Sequence, residues 1–559
     1  MRKTIWACWF QGREAAPPLV RKCLDSWERK NPDWEFRCLD ARTVERFVPI
    51  RDLIDLDNRT ITAASLSDIV RISLLHEFGG VWADATLFCN RPLDDWLPDV
   101  MQEGFFAFAD PVPTRPLSSW FLSAEPDNRL VAEWYRKTIE YWQDRTRSND
   151  YFWFHHRFKT ICETSGFFAG LWSRVPKVSA GPSHALQAPG CMYSPAADVG
   201  DRIDWTTPVF KLTHRLARPL HPDSVLARVL GPDAEMLPVS APPTGPAAAP
   251  AAFASLKVAT ENLGDHVQIL AGRQLLSRFG VAHRHEIDRD DEIMSAPCLD
   301  AEGGEVGILL NGWFKTNDAE WPPHPKLAPL LFGFHIRLFQ CPALVSDAAI
   351  AFYRRHQPIG CRDSYTAQLL AGHGVETFVS HCLSLTLPRR VASDAQSEVF
   401  VVSRDARICD RLPPELGPCN FVSHYSGSND FAANMREAES LLELYRARAR
   451  LVVTTLLHCA LPAIAMGIPV VMFYPLNSER GHASDRERFS SLTDFLPVHD
   501  LDAQAQNGWR DVDWNPAPVR IGDTKLAILD RFFEMAGKWK LPPAPPLGPI
   551  APPDVLPVS

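Results

Sequence analysis

A proline- and alanine-rich segment at residues 241–252 places the strongest limit on how this chain can fold. It reads Ala-Pro-Pro-Thr-Gly-Pro-Ala-Ala-Ala-Pro-Ala-Ala and has no hydrophobic periodicity, so it cannot contribute a face to a core. We therefore predict a semi-rigid linker between two domains, at residues 1–240 and 253–540. The proline-rich end, residues 541–559, is predicted to be a disordered tail.

Composition and charge exclude several classes of protein. With 46% hydrophobic and 22% charged residues, the chain can bury real cores, which excludes a disordered chain, a fibre and a coiled coil. A net charge of −9 argues against binding nucleic acid by phosphate neutralisation. The 13 cysteines include no C-x-x-C pair, which is typical of reduced thiols. We expect a cytoplasmic protein, with peripheral attachment to the inner membrane face left open.

One long apolar run, residues 451–476, contains no charged residue and has the length of a membrane span. Proline and glycine interrupt it, however. The pattern predicts a strand at 451–455, a short helix at 457–466 and a strand at 469–474, which together form a buried βαβ unit. Similar alternation in both halves predicts an α/β fold with largely parallel sheets and no transmembrane segment.

The first half contains a helix followed by two glycines. Ser67 has the character of an N-cap, and Asp68 and Arg71 lie three residues apart on one helical face. Gly79 and Gly80 then end the helix and permit a positive φ. The motif predicts a helix that carries a carboxylate and a guanidinium side by side.

A short strand at 81–83 follows these glycines, with Asp84 and Thr86 at its carboxyl end and on the same side. Ligands of open α/β sheets bind at that end of the strands. A carboxylate there can hold a divalent cation against a diphosphate, with Asp68 and Arg71 reaching the same nucleotide. Taken singly, the acidic residues also fit a helix-dipole contact and a turn.

Residues 1–235 resemble the capsular polysaccharide synthesis glycosyltransferases, which are related to glycosyltransferases with a DXD sugar-binding motif. The resemblance rests on five motifs: Ile5-Trp-Ala-Cys-Trp-Phe-Gln-Gly12, Ser26-Trp-Glu-Arg-Lys-Asn-Pro32, the S-D-x-x-R…G-G-x-W-x-D segment, Tyr151-Phe-Trp-Phe-His155 and Lys211-Leu-Thr213. It implies a GT-A-like fold and sugar transfer from a nucleotide sugar, with Mn²⁺ or Mg²⁺.

The same resemblance assigns roles to individual residues. It implies that Trp9 stacks on the nucleobase, that Asp68 and Arg71 contact the donor, and that Asp84 is the metal-site carboxylate. Thr86 stands where the second aspartate of D-x-D is usual, and a hydroxyl is a weaker ligand for a hard cation.

The second half places polar groups just beyond several apolar strands. The segment 261–268, Glu-Asn-Leu-Gly-Asp-His-Val-Gln, forms a polar turn before a helix predicted at 269–279. A turn of this kind at a helix N-terminus can bind an anion. We expect such groups to line a cleft between two parallel sheets.

Residues 253–500 resemble the polysaccharide pyruvyl transferase family, through an N-x-G-D-x-x-Q turn, a G-C-R-D-x-x-T segment, a C-L-x-L-T-L run and the segment H-C-A-L-P-A-I-A-M-G-I-P. The resemblance implies a GT-B-like pair of Rossmann-type lobes and transfer of pyruvate, as a ketal, from phosphoenolpyruvate to a glycan. It makes His458 the acid or a phosphate contact and His335 a second histidine in the cleft. The residues that would line or brace this cleft are Asn262, Asp265, Arg362 and Asp363.

One departure from that family concerns its R-x-H arrangement, in which Leu456 replaces the arginine. Leucine cannot bind a phosphate or carboxylate as an arginine fork does. Arg362, Arg404 or Arg480 are candidates to replace it. Arg362 and Asp363 also fit a helix cap with a surface ion pair, and His458 fits a buried core histidine.

The two resemblances together imply a bifunctional enzyme of surface-polysaccharide synthesis, which uses a nucleotide sugar, phosphoenolpyruvate and an oligosaccharide or lipid-linked glycan acceptor. Leu456 favours one alternative, a glycosyltransferase whose second domain has lost pyruvyl transfer and binds glycan or acts as a scaffold. Leu456 and Thr86 together leave open a third, an assembly protein with two degenerate folds.

Overall fold

The computed structural model describes residues 3–541, except for 57, 58, 60, 113, 114, 149, 150, 199–202, 215–219, 232–249, 251, 291, 300, 301, 303, 315–320, 338–340, 392, 404, 475–485, 502 and 505–508. The chain separates into two units, one within Met1–Gly245 and the other within Pro246–Pro542. The predicted linker at 241–252 and tail at 541–559 lie almost entirely outside the described residues, as do Arg404 and Arg480.

The first unit combines one main sheet, one small sheet and ten helices among its described residues. Its strands are β1 (Thr4–Cys8), β2 (Glu35–Leu39), β3 (Gly80–Ala83), β4 (Leu87–Cys89), β5 (Phe105–Val112), β6 (Arg115–Ala124) and β7 (Val209–Lys211). Its helices are α1 (Pro18–Lys30), α2 (Val44–Phe47), α3 (Ile50–Leu53), α4 (Ala63–Phe78), α5 (Leu97–Val100), α6 (Arg129–Gln143), α7 (Trp153–Thr164), α8 (Gly166–Arg174), α9 (Pro189–Tyr193) and α10 (Val225–Leu230).

The main sheet of this unit has the strand order β2-β1-β3-β6-β5. β1 pairs in parallel with both β2 and β3, whereas β3, β6 and β5 pair antiparallel. Because β1 and β3 run in parallel, the residues that follow them emerge at the same edge of the sheet. The small sheet pairs β4 with β7. This pairing brings β7, which lies late in the sequence of the unit, to the same edge of the main sheet.

Helix α4 begins earlier than the sequence predicted. Thr62, not Ser67, is its N-cap, and the Thr62 side chain accepts a hydrogen bond from the Ser65 amide. The helix ends where expected, since Gly79 and Gly80 have φ values of 68° and 95°. Residues on all sides of α4 are buried, so no single apolar face marks where the helix begins in the sequence.

The second unit contains two parallel sheets. Its strands are β8 (Ala252–Lys257), β9 (His285–Asp288), β10 (Val306–Trp313), β11 (Leu327–His335), β12 (Ile359–Cys361), β13 (Thr377–Val379), β14 (Glu398–Val402), β15 (Cys419–Phe421), β16 (Ala449–Thr454), β17 (Val470–Phe473) and β18 (Val498–His499). Its helices are α11 (Leu263–Ser277), α12 (Cys341–Leu344), α13 (Asp347–His356), α14 (Ser364–Gly372), α15 (Ala406–Cys409), α16 (Phe431–Arg448), α17 (Leu457–Ala465), α18 (Ser490–Thr493) and α19 (Gly522–Ala536).

The two sheets have the orders β13-β12-β11-β10-β8-β9 and β15-β14-β16-β17-β18, and all their pairings are parallel. The α/β fold class is therefore confirmed. The prediction of largely parallel sheets is right for the second unit, whereas the main sheet of the first unit is mixed because β3, β6 and β5 pair antiparallel. The finer GT-A-like and GT-B-like descriptions of the two halves stay predictions.

The apolar run at 451–476 is confirmed as a buried βαβ unit. β16, α17 and β17 together contain 17 of its 26 residues, and β16 and β17 pair in parallel. Their residues are almost all buried. Across the described part of the chain, no helix combines the length and apolarity that crossing a membrane requires.

Candidate functional site

The carboxylate of Asp84 is the centre of the polar cluster in the first unit. Asp84 follows β3 directly, and its amide donates a hydrogen bond to the Trp120 carbonyl at 2.9 Å. The indole Nε1 of Trp82 donates to Asp84 Oδ1 at 3.0 Å. Backbone and indole together fix the carboxylate at the carboxyl edge of the parallel strands.

Arg71 on α4 binds this carboxylate from one side. Its Nη2 lies 3.1 Å from Asp84 Oδ1, and its Nη1 lies 3.2 Å from Asp68 Oδ1. Nη1 also donates to both the carbonyl and the hydroxyl of Ser119, at 2.8 and 2.7 Å. The structure therefore brings the predicted residues Asp68, Arg71 and Asp84 together, with the guanidinium between the two carboxylates.

Lys211 binds Asp84 from the other side. Its Nζ lies 2.8 Å from Asp84 Oδ2 and donates to Thr86 Oγ1 at 2.7 Å. The pairing of β4 with β7 sets Lys211 opposite Leu87, and the Leu212 amide donates to the Thr86 carbonyl at 2.9 Å. Thr86 thus lies in the cluster around Asp84, as a hydrogen-bond partner of a lysine.

The two carboxyl groups of the cluster differ in their proton affinity. Burial alone would raise the pKa of Asp84, but Lys211 and Arg71 outweigh it and hold that pKa below its usual value. Burial raises the pKa of Asp68 to about 7, with Arg71 opposing the shift and Asp84 adding to it. Near neutral pH, Asp84 is therefore ionised and Asp68 is partly protonated.

Because burial raises the pKa of Asp68, this residue makes the free energy of unfolding depend on pH. An unfolded aspartate has a pKa of about 3.9, so between about pH 4 and 7 the folded chain holds a proton that the unfolded chain releases. The free energy of unfolding contributed by Asp68 therefore falls as the pH rises through that interval. Asp68→Asn should remove this loss, which we expect to be on the order of 2–4 kcal/mol.

The measurement is thermal unfolding of both chains across that interval. The melting temperature of Asp68→Asn should rise relative to wild type as the pH increases. Asp94→Asn is a matched control, because Asp94 lies on the surface beside Lys3 and its pKa is lowered, not raised. Parallel pH profiles for wild type and Asp68→Asn would contradict the assignment.

Trp9 lies just past β1, at the same edge as Asp84. Its ring is partly buried and meets the His214 ring edge-on, with centroids 5.3 Å apart. Its Nε1 has no hydrogen-bond partner among the residues that the structure describes. Trp9 is thus placed near the cluster, and its predicted contact with a nucleobase stays a prediction.

The residues around Asp84 do not fit a divalent cation. Mg²⁺ and Mn²⁺ bind oxygen ligands, chiefly carboxylates, phosphates and water, and here both oxygens of the single carboxylate Asp84 already contact cationic groups, Arg71 and Lys211. Within the described ranges, no group of three or more His, Cys, Asp or Glu side chains is arranged to hold a metal ion. A positively charged ion at Asp84 would also face two fixed cations.

In the second unit, His335 and Asp363 form a buried hydrogen-bonded pair. His335 ends β11, and its Nδ1 lies 2.6 Å from Asp363 Oδ2. Asp363 Oδ1 also accepts from the Thr366 amide at 2.9 Å, so Asp363 caps α14. Since a carboxylate only accepts hydrogen bonds, Nδ1 carries the proton and Nε2 is left as an acceptor.

Arg362 is the fully buried neighbour of this pair. Its Nε lies 3.9 Å from Asp363 Oδ2, and its Nη1 donates to Gln268 Oε1 at 3.5 Å. Its Nη2 has no hydrogen-bond partner in the described part of the chain. The helix-cap interpretation of Asp363 is therefore right, but the surface ion pair is wrong because both side chains are buried.

His458 is the second residue of α17 and packs against the first turn of α11. A Cβ built at Gly264 would lie 3.0 Å from His458 Cβ, so these two elements are in close contact. His458 is buried, its backbone is not helical at φ −87° and ψ 16°, and its Nε2 has no partner among the described residues. The side chain thus has an unused polar atom in the interior.

The predicted turn at 261–268 forms the start of α11, which begins six residues earlier than expected. Asn262 is the N-cap, with its Oδ1 accepting from the Gly264 amide at 3.1 Å. Asp265 is buried, 3.6 Å from Arg289, and accepts from Gln268 at 3.3 Å. Through Gln268, Asp265 connects to Arg362, so the predicted residues form one contiguous cluster.

Both histidines of this cluster are neutral. Burial lowers the pKa of His335 to about 3, with Arg362 adding to the shift and Asp363 opposing it. Burial also lowers the pKa of His458 well below its usual value, and the charges of Arg362 and Arg488 lower it further. An anion bound beside these arginines would offset them and raise the pKa of His458.

Sequence reasoning missed three residues that complete these clusters. Lys211 was noticed only within a motif, because nothing in the sequence shows that β7 pairs with β4. Ser119 reaches Arg71 from β6, through a similar long-range pairing. Gln268, also noticed only as the last residue of a motif, is separated from Arg362 by 94 positions in the chain. In each case the signal is a sheet or helix contact that only the folded chain contains.

Two family models match the chain, one in each half. The family described as capsular polysaccharide synthesis protein matches residues 1–223. The family described as polysaccharide pyruvyl transferase matches residues 262–477. The first match covers the Asp84 cluster, and the second covers the cluster around Arg362.

The curated relatives that match are fungal glycosyltransferases. Glycosyltransferase afumC of Aspergillus fumigatus is 27% identical over 218 residues, which cover 35% of this chain and 51% of that protein. O-glycosyltransferase braB of Annulohypoxylon truncatum is 27% identical over 162 residues, covering 26% and 38%. O-glycosyltransferase PaGT of Phomopsis amygdali is 28% identical over 162 residues, covering 26% and 40%. The chain thus spans about half of the first relative and less of the others.

Solved structures add little to this. The PaToxG glycosyltransferase covers 31% of this chain and 74% of its own, at 13% identity and a TM-score of 0.22. An uncharacterised protein from Klebsiella pneumoniae covers 43% and 87%, at 12% identity and a TM-score of 0.26. Scores this low do not establish a common fold. It is the family models that show what each half resembles: residues 1–223 resemble capsular polysaccharide synthesis proteins, and residues 262–477 resemble polysaccharide pyruvyl transferases.

Proposed function

We propose that the first unit transfers a sugar from a nucleotide donor to a hydroxyl of a glycan. One observation carries this proposal: two cations, Arg71 and Lys211, converge on the single carboxylate of Asp84 at the carboxyl edge of parallel strands. Such edges are the ligand-binding positions of α/β sheets. A nucleotide diphosphate is an anion that suits two cations held in place.

Each residue of the cluster has a part in this reaction. Sugar transfer breaks the bond between the sugar and the diphosphate, so negative charge grows on the leaving diphosphate. Cations fixed beforehand lower the energy of that charge more than mobile water does. Asp84 keeps Arg71 and Lys211 in position, Asp68 supports Arg71 from the other side, and Trp9 is available to stack on the base.

The named relatives support a hydroxyl acceptor. Two of them are O-glycosyltransferases, and all four curated matches are described as glycosyltransferases. The capsular polysaccharide family supports a saccharide chain, free or lipid-linked, as the molecule that carries this hydroxyl. We propose a cytoplasmic site for the reaction, since nucleotide sugars and reduced thiols both belong there.

For the second unit we propose pyruvyl transfer from phosphoenolpyruvate to the same glycan. Two sugar hydroxyls add to C2 of phosphoenolpyruvate, C3 gains a proton, and inorganic phosphate leaves with the other proton, which gives a ketal. The observation that favours this function is a pair of buried polar atoms without a partner among the described residues, Nη2 of Arg362 and Nε2 of His458, in two side chains close enough for the charge of Arg362 to lower the pKa of His458. An anion with phosphate and carboxylate oxygens would satisfy both groups.

A neutral His458 fits this role once the substrate is bound. Burial is the first cause of the low pKa of His458, and the negative charge of phosphoenolpyruvate offsets the further effect of Arg362 and Arg488, so binding raises the pKa of this imidazole and favours its protonation. It can then act as the acid that protonates C3. The competing function, a glycosyltransferase whose second unit only binds glycan or acts as a scaffold, is favoured by Leu456, which supplies no cation.

Donor hydrolysis tests the first function without knowledge of the acceptor. The purified chain is incubated with a panel of nucleotide sugars, and release of the nucleoside diphosphate is measured. We expect slow release from one donor, above the rate in buffer. If no donor of the panel is hydrolysed or bound, the assembly-protein alternative replaces the proposal.

A further inference from the structure

The ammonium group of Lys211 occupies an unusual position for a structural ion pair. It contacts Asp84 and Thr86 at 2.8 and 2.7 Å, which are the carboxylate and the residue two positions later. These are the two positions of a D-x-D motif, where a divalent cation would otherwise be held. The lysine and aspartate side chains keep 18% and 22% of their surface exposed, so a ligand can reach them.

The backbone fixes Lys211 at this point. β4 and β7 pair with Leu87 opposite Lys211, and a hydrogen bond joins the Leu212 amide to the Thr86 carbonyl. Thr86 and Leu87, which are consecutive in the chain, are therefore both held against β7, the strand that carries Lys211. An ammonium has three donors. The two contacts above leave one for a ligand oxygen.

The charges of the cluster sum to a net positive charge, which favours binding of an anion. Arg71 and Lys211 each contribute one positive charge and Asp84 one negative charge. Asp68 contributes only part of a charge near neutral pH, because burial raises its pKa to about 7. The cluster is thus positive before any ion binds, which attracts a diphosphate and repels a divalent cation.

Thr86 is explained by the same arrangement. An aspartate at position 86 would add a negative charge and cancel the surplus that the two cations provide. A threonine hydroxyl accepts the hydrogen bond from Lys211 without adding charge. Thr86 and Lys211 therefore act as a pair, in which the hydroxyl orients the ammonium and leaves its charge available.

We propose that Lys211 takes the place of a divalent cation at the donor diphosphate, so that the first unit binds its nucleotide donor without a metal ion. The inference rests on the proposed sugar-transfer function and names the group that meets the diphosphate. Lys211 donates to a diphosphate oxygen, Arg71 supports it from the other side of Asp84, and the cluster uses no metal chemistry.

The test is direct binding of UDP and of GDP to the full chain, measured by calorimetry in excess EDTA and again in excess Mn²⁺. For wild type we expect the affinity for one nucleotide to change less than about threefold between these conditions. Lys211→Ala should lose at least about tenfold in EDTA, the factor of a single charge-assisted contact. Mn²⁺ should restore part of this loss, because Asp84 and Thr86 then have free oxygens.

Electron paramagnetic resonance of Mn²⁺ gives a second readout that needs no nucleotide. Wild type should leave the Mn²⁺ signal unchanged, and Lys211→Ala should bind the ion. Lys3→Ala is the matched control, since Lys3 pairs with Asp94 on the surface at 2.7 Å and should alter neither binding nor the signal. Lys211→Met, which keeps the aliphatic stem, replaces Lys211→Ala if the alanine variant does not fold.

The outcomes separate this inference from the proposed function. If wild type binds UDP or GDP only with Mn²⁺, the lysine inference is overturned and the sugar-transfer proposal stands. If neither nucleotide binds wild type with or without Mn²⁺, the lysine inference is overturned, and the sugar-transfer proposal falls with it when no donor of the hydrolysis panel is hydrolysed either. Equal binding by wild type, Lys211→Ala and Lys211→Met in EDTA would show that the diphosphate does not meet this lysine.

Discussion

Replacing Asp84 by asparagine is expected to lower donor hydrolysis and sugar transfer by about 10²–10³-fold, the range found when one preorganised electrostatic group is removed from an active site. Asparagine is isosteric but uncharged. Arg71 and Lys211 would then face each other across a neutral amide, 3.1 and 2.8 Å from its two terminal atoms. Repulsion would move both cations away from the diphosphate position.

The same substitution should be tolerable for folding, because Arg71 keeps its bonds to Ser119 and Asp68. Circular dichroism and the melting temperature would verify this. Asp94→Asn serves as the control for the same chemical change on the surface, and it should keep full activity. Unchanged hydrolysis in a folded Asp84→Asn chain would remove the proposed donor site.

The α/β fold could be predicted in outline because its strongest signals are local. The βαβ unit from β16 to β17 is continuous in sequence, and proline and glycine mark its turns. The predicted start of α4 was wrong because residues on all sides of this helix are buried, so the hydrophobic pattern does not show where the helix begins. The start of α11 was predicted too late for a different reason, because the polar residues of its first turn are typical of a loop.

The candidate site residues also divide into those that are close in sequence, which could be predicted, and those that only the fold brings together. Asp68, Arg71 and Asp84 lie within 17 positions of one another, and a helix, a glycine turn and a strand bring them together. Lys211 is separated from Asp84 by 127 positions and arrives through an antiparallel pairing that has no local signal. The sequence therefore predicted that these three residues lie together, and the metal that it placed at Asp84 stays a prediction. The contact of Lys211 with Asp84 could be found only in the folded chain.

Phosphoenolpyruvate is expected to bind the second unit and to stabilise the full chain against heat, and Arg362→Lys should weaken this binding by about 10²-fold or more. Lysine keeps the charge but cannot form the bidentate contact of a guanidinium, and charge-assisted hydrogen bonds are worth about 1.5–3 kcal/mol each. Calorimetry in buffers of different ionisation enthalpy should also detect proton uptake, because the bound anion raises the pKa of His458.

Two further variants control this result. Arg354→Lys changes an exposed arginine that bonds the His373 carbonyl at 2.7 Å, and it should leave phosphoenolpyruvate binding unchanged. His458→Gln should abolish the proton uptake and keep part of the affinity. Binding without any proton uptake in wild type would contradict the role of His458 as the acid.

Leu456→Arg decides whether Arg362 has replaced the missing arginine of the R-x-H arrangement. Leu456 lies next to the start of α17, two residues before His458, and is partly buried. If Arg362 already supplies the cation, a second guanidinium adds repulsion as well as contact, and the affinity for phosphoenolpyruvate should change less than about tenfold. If phosphoenolpyruvate binds only after Leu456→Arg, the natural chain has lost pyruvyl transfer, and its second unit serves the glycosyltransferase as a glycan-binding or scaffold domain.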